Sequence, residues 1–180
     1  MNSSRKLFKN ENPYRNRSIY TIMTPLKQAI EDFLAERTIA IAGASRNGEK
    51  LGNMIAKKFE DSGYTICFLH PSAKIIDNHH CYASIEELPR GVHHLLLCTP
   101  PDASYEIARS LKSAPINMVW MHSTFGKGSY HKEAVKTFRE KDVTVIPNAC
   151  PMMYLKPVDP FHKCFRWIFS KTGRFDKVVE

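Results

Sequence analysis

The chain has 180 residues, of which 43% are apolar and 24% are charged, proportions typical of a single soluble globular domain. No stretch approaches the roughly 20 apolar residues of a membrane span, and the first ten residues lack the apolar centre of a secretory signal. These features argue against a membrane protein and predict a cytoplasmic location.

Most of the formal net charge of +8 is carried by the two ends of the chain. Residues 1–23 hold five basic residues and one acid, and residues 161–180 hold five basic residues and two acids. The body between them is nearly neutral, with sixteen basic and fifteen acidic residues. Charge confined to the ends argues against a nucleic-acid partner. The five cysteines are scattered without a C-x-x-C pair, which predicts free thiols and no structural zinc.

Strand and helix patterns alternate along the chain after a basic arm at residues 1–23. Thr24 and Pro25 are typical of a helix start, and the helix that follows is expected to end by Arg37. The predicted strands are 39–42, 64–69, 80–82, 92–98, 118–121 and 143–146. Between them the pattern predicts helices beginning near residues 49, 99 and 130, one helical turn near 84, and a variable loop through 75–76.

This alternation predicts an α/β fold, a single Rossmann-like three-layer domain with a mostly parallel sheet. With the strands numbered in chain order, we expect the order 3-2-1-4-5 with a sixth short strand. The domain is assigned to residues 24–156 and a C-terminal helical extension to 157–180. In such sheets a ligand binds beyond the carboxyl ends of the strands. The loops expected to meet there are 43–48, 70–74, 98–102, 122–128 and 148–153.

The first of these loops, in the segment TIAIAGASRNGEKLG at 38–52, is typical of a phosphate-binding turn. Small residues at Gly43 and Ala44 let a phosphate approach the amides of the following helix N-terminus, and Ser45 adds a hydroxyl. The spacing matches neither G-x-G-x-x-G nor G-x-x-x-x-G-K-[ST]. A tight turn that binds no ligand therefore stays open as an alternative.

The second loop favours a ligand with an additional phosphate. An NAD site places an acid at the end of the second strand for the ribose hydroxyl, but this end reads LHPSAK at 69–74. Ser72 and Lys74 suit the phosphate of NADP or the 3′-phosphate of coenzyme A. The alternative is that Lys74 is an ordinary surface lysine.

Together these segments resemble the small CoA-binding domain family, which is related to the nucleotide-binding domain of the succinyl-CoA synthetase α subunit. The similar segments are TIAIAGAS, HPS where many relatives read NPK, CYASIEELP, and a proline-containing turn after the central strand, and they span about residues 37–150. The resemblance implies a diphosphate loop at 43–45, an adenosine-phosphate loop at 71–74 and a turn beside the diphosphate at 99–101. The predicted ligand-binding residues are Gly43, Ala44, Ser45, Lys50, Pro71, Ser72, Lys74, Thr99, Pro100 and Pro101.

Two side chains are weak candidates for chemistry. Cys150 and His122 both follow predicted strands, and a thiol beside an imidazole can become a nucleophilic thiolate. Both are also compatible with ordinary buried packing. The histidines at 79–80 and 93–94 lack the spacing of a metal site, so no metal is predicted.

We therefore expect a protein that binds coenzyme A or an acyl-CoA, with no reaction identified. The alternatives are an NADP-linked oxidoreductase or an acyl-CoA enzyme that uses Cys150, and a regulatory or scaffold protein with a vestigial pocket. The expected partner is a small molecule, and the aromatic C-terminal segment is a candidate homodimer contact.

Overall fold

The computed structural model describes residues 26–48, 50–112, 115–124 and 128–171. The predicted basic arm, the helix start at 24–25 and the end of the chain from 172 lie outside the described residues. Within the described part, no helix is long and apolar enough to cross a membrane.

Seven strands and five helices alternate along the described chain. The strands are β1 Thr38–Ala42, β2 Thr65–Leu69, β3 Ile75–Ile76, β4 His79–Tyr82, β5 His94–Leu97, β6 Met118–His122 and β7 Thr144–Ala149. The helices are α1 Leu26–Ala35, α2 Leu51–Asp61, α3 Pro101–Ser110, α4 Lys132–Glu140 and α5 Pro160–Lys171. A 3-10 turn at Ile85–Glu87 replaces the helical turn predicted near 84.

The strands form one sheet in the order β3-β4-β2-β1-β5-β6-β7, and all neighbouring pairs except β3 with β4 are parallel. The predicted fold class is confirmed, since β4, β2, β1, β5 and β6 reproduce the expected order 3-2-1-4-5. The sixth predicted strand is longer than expected, with six residues in β7.

The strand β3 corrects the prediction of a loop through residues 75–76. Ile75 and Ile76 pair antiparallel with β4 across a turn in which Asp77 has φ 48° and Asn78 has φ 66°. Two successive positive φ values are those of a type I′ hairpin turn, a conformation that Asp and Asn adopt more readily than other side chains. Ile76 is buried and Ile75 is 65% exposed, so β3 contributes one side chain to the core, in the same cluster as the buried Cys81 of β4.

The sheet is buried on both faces, as expected for parallel strands linked by crossover helices. Along β1 the side chains alternate between the two layers. Ile39 and Ile41 pack with the apolar faces of α1 and α2, which include Phe33 and Phe59. Ala40 and Ala42 belong to the opposite layer, where α3 and α4 contribute residues such as Phe138. This arrangement places the short βα loops together at one edge of the sheet.

The helix α5 lies after β7 and a 3-10 turn at Pro151–Met153. Its Phe165 packs against Cys150 and Met153, and Arg166 Nη1 donates a hydrogen bond to the carbonyl of Met153 at 3.1 Å. Phe161, on the same helix, is 59% exposed. The predicted C-terminal helix is therefore present, attached to the end of the sheet through its first turns.

Candidate ligand-binding cleft

A cleft of about 1100 Å³ lies at the carboxyl ends of β1, β2, β5 and β6, the place where open parallel sheets bind ligands. Its lining comes from segments 42–44, 50–51, 69–71 and 83–85, and from parts of 98–110, 122–124 and 128–129. Four of the five loops expected at this edge contribute to the cleft. The fifth, at 148–153, does not line it.

Six of the ten predicted ligand-binding residues line the cleft: Gly43, Ala44, Lys50, Pro71, Thr99 and Pro100. The other four do not contribute to the lining: Ser45, Ser72, Lys74 and Pro101. The two weak catalytic candidates both contact Thr124, but only His122 lines the cleft.

Close backbone packing explains the glycine at position 43. Its φ is +101°, and a Cβ atom there would lie 2.4 Å from the carbonyl carbon and oxygen of Cys98. A Cβ on Gly52 would in turn lie 2.6 Å from the carbonyl oxygen of Gly43. The loop is thus pressed between the end of β5 and the first turn of α2. Gly43 and Gly52 allow the close approach that glycines provide in dinucleotide-binding turns, although their spacing is different.

Asn53 holds the backbone of Ser45, and the ligand contact expected of the Ser45 hydroxyl stays a prediction. The Ser45 amide donates to Asn53 Oδ1 at 2.8 Å, and its carbonyl accepts from Asn53 Nδ2 at 2.9 Å. The buried Asn53 therefore fixes the shape of the loop, and it also donates to Asp77 Oδ2 at 2.7 Å. The Ser45 amide is already paired, and the Asn53 amide donates to the carbonyl of Lys50 at 2.9 Å. A phosphate at this turn would therefore depend on the amides of Leu51 and Gly52, the first two residues of α2.

The loop after β2 is organised by His70. Its Nδ1 accepts hydrogen bonds from the amides of Ser72 at 3.2 Å and Ala73 at 2.9 Å. These bonds place the Ser72 hydroxyl where it accepts a hydrogen bond from Arg46 Nη2 at 2.7 Å. Lys74 is exposed, and its carbonyl accepts from the Cys81 amide. The cation beside Ser72 is therefore Arg46.

Sequence reasoning missed Arg46, although its place between a strand and a helix was a usable signal. Arg46 joins the glycine loop to the loop after β2. Burial, followed by the positive charges of Arg46 and Lys50, lowers the pKa of His70. This corner of the cleft is therefore electropositive, and the imidazole in it is neutral near pH 7.

The turn after β5 is held by hydroxyl groups. Thr99 Oγ1 and Ser104 Oγ share a hydrogen bond of 2.8 Å, and the Ser104 amide donates to the carbonyl of Pro100 at 3.0 Å. Thr99 and Pro100 face the cleft, whereas Pro101 begins α3 outside the lining. The proline at the first helical position fits a turn that leads directly into a helix.

With this geometry established, comparison with known proteins identifies the domain. Residues 37–156 match the family described as the CoA binding domain. The chain belongs to this family. The match agrees with the predicted resemblance over about residues 37–150, and it ends at residue 156, between β7 and α5.

Solved structures share the fold of this CoA-binding domain. A conserved hypothetical protein from Pyrococcus furiosus is 28% identical, with 61% of this chain and 91% of that chain covered and a TM-score of 0.54. A hypothetical protein from Pyrococcus horikoshii is 24% identical, with 68% and 84% covered and a TM-score of 0.62.

An acetyl-coenzyme A synthetase from Candidatus Korarchaeum cryptofilum, solved with phosphate and ADP, is 19% identical. The alignment covers 64% of this chain but only 26% of the synthetase, with a TM-score of 0.54. At this identity the likeness is one of fold. No curated protein matches the chain.

The reactive candidates of this CoA-binding domain lie in apolar surroundings. Burial lowers the pKa of His122 to about 4, and its Nε2 lies 3.3 Å from Thr124 Oγ1. Burial raises the pKa of Cys150 despite a hydrogen bond from Thr124. Burial and the neighbouring Cys150 thiol also raise the pKa of Cys98. At neutral pH these groups are an uncharged imidazole and two protonated thiols.

The paired histidines of the sequence have separate structural roles. His94 is buried in β5, with Nδ1 2.9 Å from the carbonyl of Phe33 in α1. The neighbouring His93 places Nδ1 3.0 Å from the carbonyl of Pro115. Among the described residues, no group of three or more His, Cys, Asp or Glu side chains has an arrangement suited to a metal ion.

Proposed function

We propose that this domain binds coenzyme A, or an acyl-CoA, in the cleft at the strand ends. The observation that carries the proposal is the corner at the edge of the cleft, where Arg46 Nη2 meets Ser72 Oγ at 2.7 Å. Arg46 and Ser72 are outside the lining, and Lys50 and His70 belong to it. Two cations and a hydroxyl group there suit a phosphate group. The cleft volume of about 1100 Å³ is at the upper end of small-molecule sites, about 300–1,000 Å³.

Membership of the CoA-binding family favours coenzyme A over the dinucleotides. The end of β2 carries no acid for the ribose of NAD, because the segment reads His70-Pro71-Ser72-Ala73-Lys74. NADP has a phosphate on the same ribose and is the alternative ligand that the Arg46 corner supports. The neutral states of Cys150 and His122 support a binding domain over an acyl-CoA enzyme, because a thiolate nucleophile needs a lowered pKa.

The proposal also includes the extent of the binding unit, the location of the protein in the cell and its self-association. We place the binding unit in residues 24–156 and the protein in the cytoplasm, where its free thiols at Cys67, Cys81, Cys98, Cys150 and Cys164 would stay reduced. Aromatic side chains on α5, among them the exposed Phe161, are the proposed contact between two copies of the chain.

The replacement Arg46→Met tests the assignment of the phosphate corner. Removing a charge-assisted hydrogen bond costs about 1.5–3 kcal/mol, so affinity for coenzyme A is expected to fall by about 10- to 100-fold. Affinity for dephospho-CoA should change by less than about threefold, since that ligand lacks the 3′-phosphate. Isothermal titration calorimetry on both ligands measures the difference.

Lys74→Met is the matched control, because Lys74 is an exposed cation of the same loop but Ser72 is hydrogen-bonded to Arg46 instead. Its loss should leave both affinities near those of the wild type. Equal losses for the two ligands in Arg46→Met would refute the phosphate assignment. A wild-type protein that binds neither coenzyme A, acetyl-CoA nor NADP would refute the proposed function itself.

A further inference from the structure

The imidazole of His70 is held in one tautomer by its own loop. Its Nδ1 accepts from two amides, those of Ser72 at 3.2 Å and Ala73 at 2.9 Å. A ring nitrogen that accepts hydrogen bonds carries no proton, and in a neutral imidazole the other nitrogen must then carry it. The proton of His70 therefore resides on Nε2, at the edge of the ring that faces away from these amides.

The Nδ1 atom of His70 accepts the kind of loop hydrogen bonds that the side-chain oxygen of an asparagine can accept. Asparagine at the start of a turn accepts, through Oδ1, the amides two or three residues ahead. His70 keeps the acceptor for its loop and adds a second polar atom, Nε2–H, that asparagine does not place there.

The additional donor lies in the electropositive corner of the cleft. His70 lines the cleft together with Lys50 and Pro71. Burial, and then the charges of Arg46 and Lys50, lower the pKa of His70. Protonation of the ring would also break the two hydrogen bonds that Nδ1 accepts from the loop amides. A neutral ring with a fixed N–H can donate without requiring a change of charge.

Resting on the proposed function, we propose that His70 Nε2–H donates a hydrogen bond to a phosphate oxygen of bound coenzyme A. Arg46 and Lys50 supply the charge that draws a phosphate into the corner. His70 supplies a directional donor whose orientation is set before the ligand arrives, because the loop amides hold the ring. Such preorganisation strengthens binding by reducing the ordering that the ligand must impose.

Two replacements separate this role from that of holding the loop. His70→Asn keeps an acceptor for the amides of Ser72 and Ala73 and removes the distal N–H. We expect its melting temperature to match the wild type and its affinity for coenzyme A to fall about tenfold, as for the loss of one hydrogen bond to a charged group. His70→Ala removes both functions and should lower the melting temperature as well as the affinity.

Calorimetry on the full chain distinguishes the outcomes. If wild type and His70→Asn bind coenzyme A equally, this inference is overturned while the proposed function stands. If the wild type does not bind coenzyme A, both fail together. Long-range ¹H–¹⁵N NMR of the His70 ring gives an independent readout. It should show the Nε2–H tautomer in the free protein and a shift of that proton when coenzyme A is added. An Nδ1–H tautomer, or a signal unmoved by saturating ligand, would also overturn the inference.

Discussion

Replacing His122 should change how the stability of this domain depends on pH. The side chain is 5% exposed, and burial lowers its pKa to about 4, whereas an unfolded chain binds the proton near pH 6.5. As the pH falls below 6.5, the unfolded state gains a proton that the folded state does not accept. Folding stability is therefore present in full above pH 6.5 and is lost progressively down to about pH 4.

The expected loss of folding stability follows from the difference between the unfolded and folded pKa values of His122. Each pH unit corresponds to 1.36 kcal/mol, so protonation of His122 in the unfolded state lowers the folding stability by about 2 kcal/mol at pH 5 and by about 3 kcal/mol at pH 4. His122→Gln keeps a polar group within reach of Thr124 and does not titrate. The variant is expected to be about 1 kcal/mol less stable than the wild type at pH 7 and more stable than it at pH 5.

Urea unfolding curves between pH 4.5 and 7.5 measure both proteins. The lowered pKa of His94, also caused mainly by burial, contributes equally to each and cancels in the difference. If the free energy of unfolding of wild type and variant fell in parallel over this range, the reasoning about the buried His122 would be refuted.

Two further comparisons use sites with contrasting surroundings. Gly43→Ala should cost at least about 3 kcal/mol of unfolding free energy, since its Cβ would overlap backbone atoms. Gly63→Ala should cost only about 1 kcal/mol, because φ is +83° but nothing lies within 4 Å; equal costs in urea unfolding would contradict this account. In the native protein a thiol reagent should modify the exposed Cys164 first and the buried Cys150 slowly. If mass spectrometry of its peptide showed fast modification of Cys150, an acyl-CoA enzyme would again be a candidate function.

Local pattern was sufficient to predict the layers of the fold. Continuous apolar runs such as 92–98, separated by amphipathic helices, indicate buried parallel strands because crossover helices cover both faces of the sheet. The strand β4 was predicted, but β3 and the turn that joins the two strands were not, because β3 has only two residues and the turn relies on Asp77 and Asn78 at positive φ. Such short strands carry too few alternating positions to be separated from a loop.

Some residues of the candidate site were predicted from the sequence and others were not, for a different physical reason in each loop. Gly43, Lys50 and Pro71 lie beside strand ends, so their place at the cleft follows from topology alone. Arg46 could not be assigned in the same way, because its contact with Ser72 joins residues 26 positions apart.

The sequence by itself determined the fold class, the edge of the sheet where loops converge, and the absence of an acid at the end of the second strand. These properties depend on hydrophobic period and chain order, which are local. Only the tertiary structure decided that the Ser45 amide pairs with Asn53, that Arg46 is the cation beside Ser72, and that Cys150 is buried outside the cleft. Each of these depends on contacts between distant segments, and burial and hydrogen-bond partners are known only once the chain has packed.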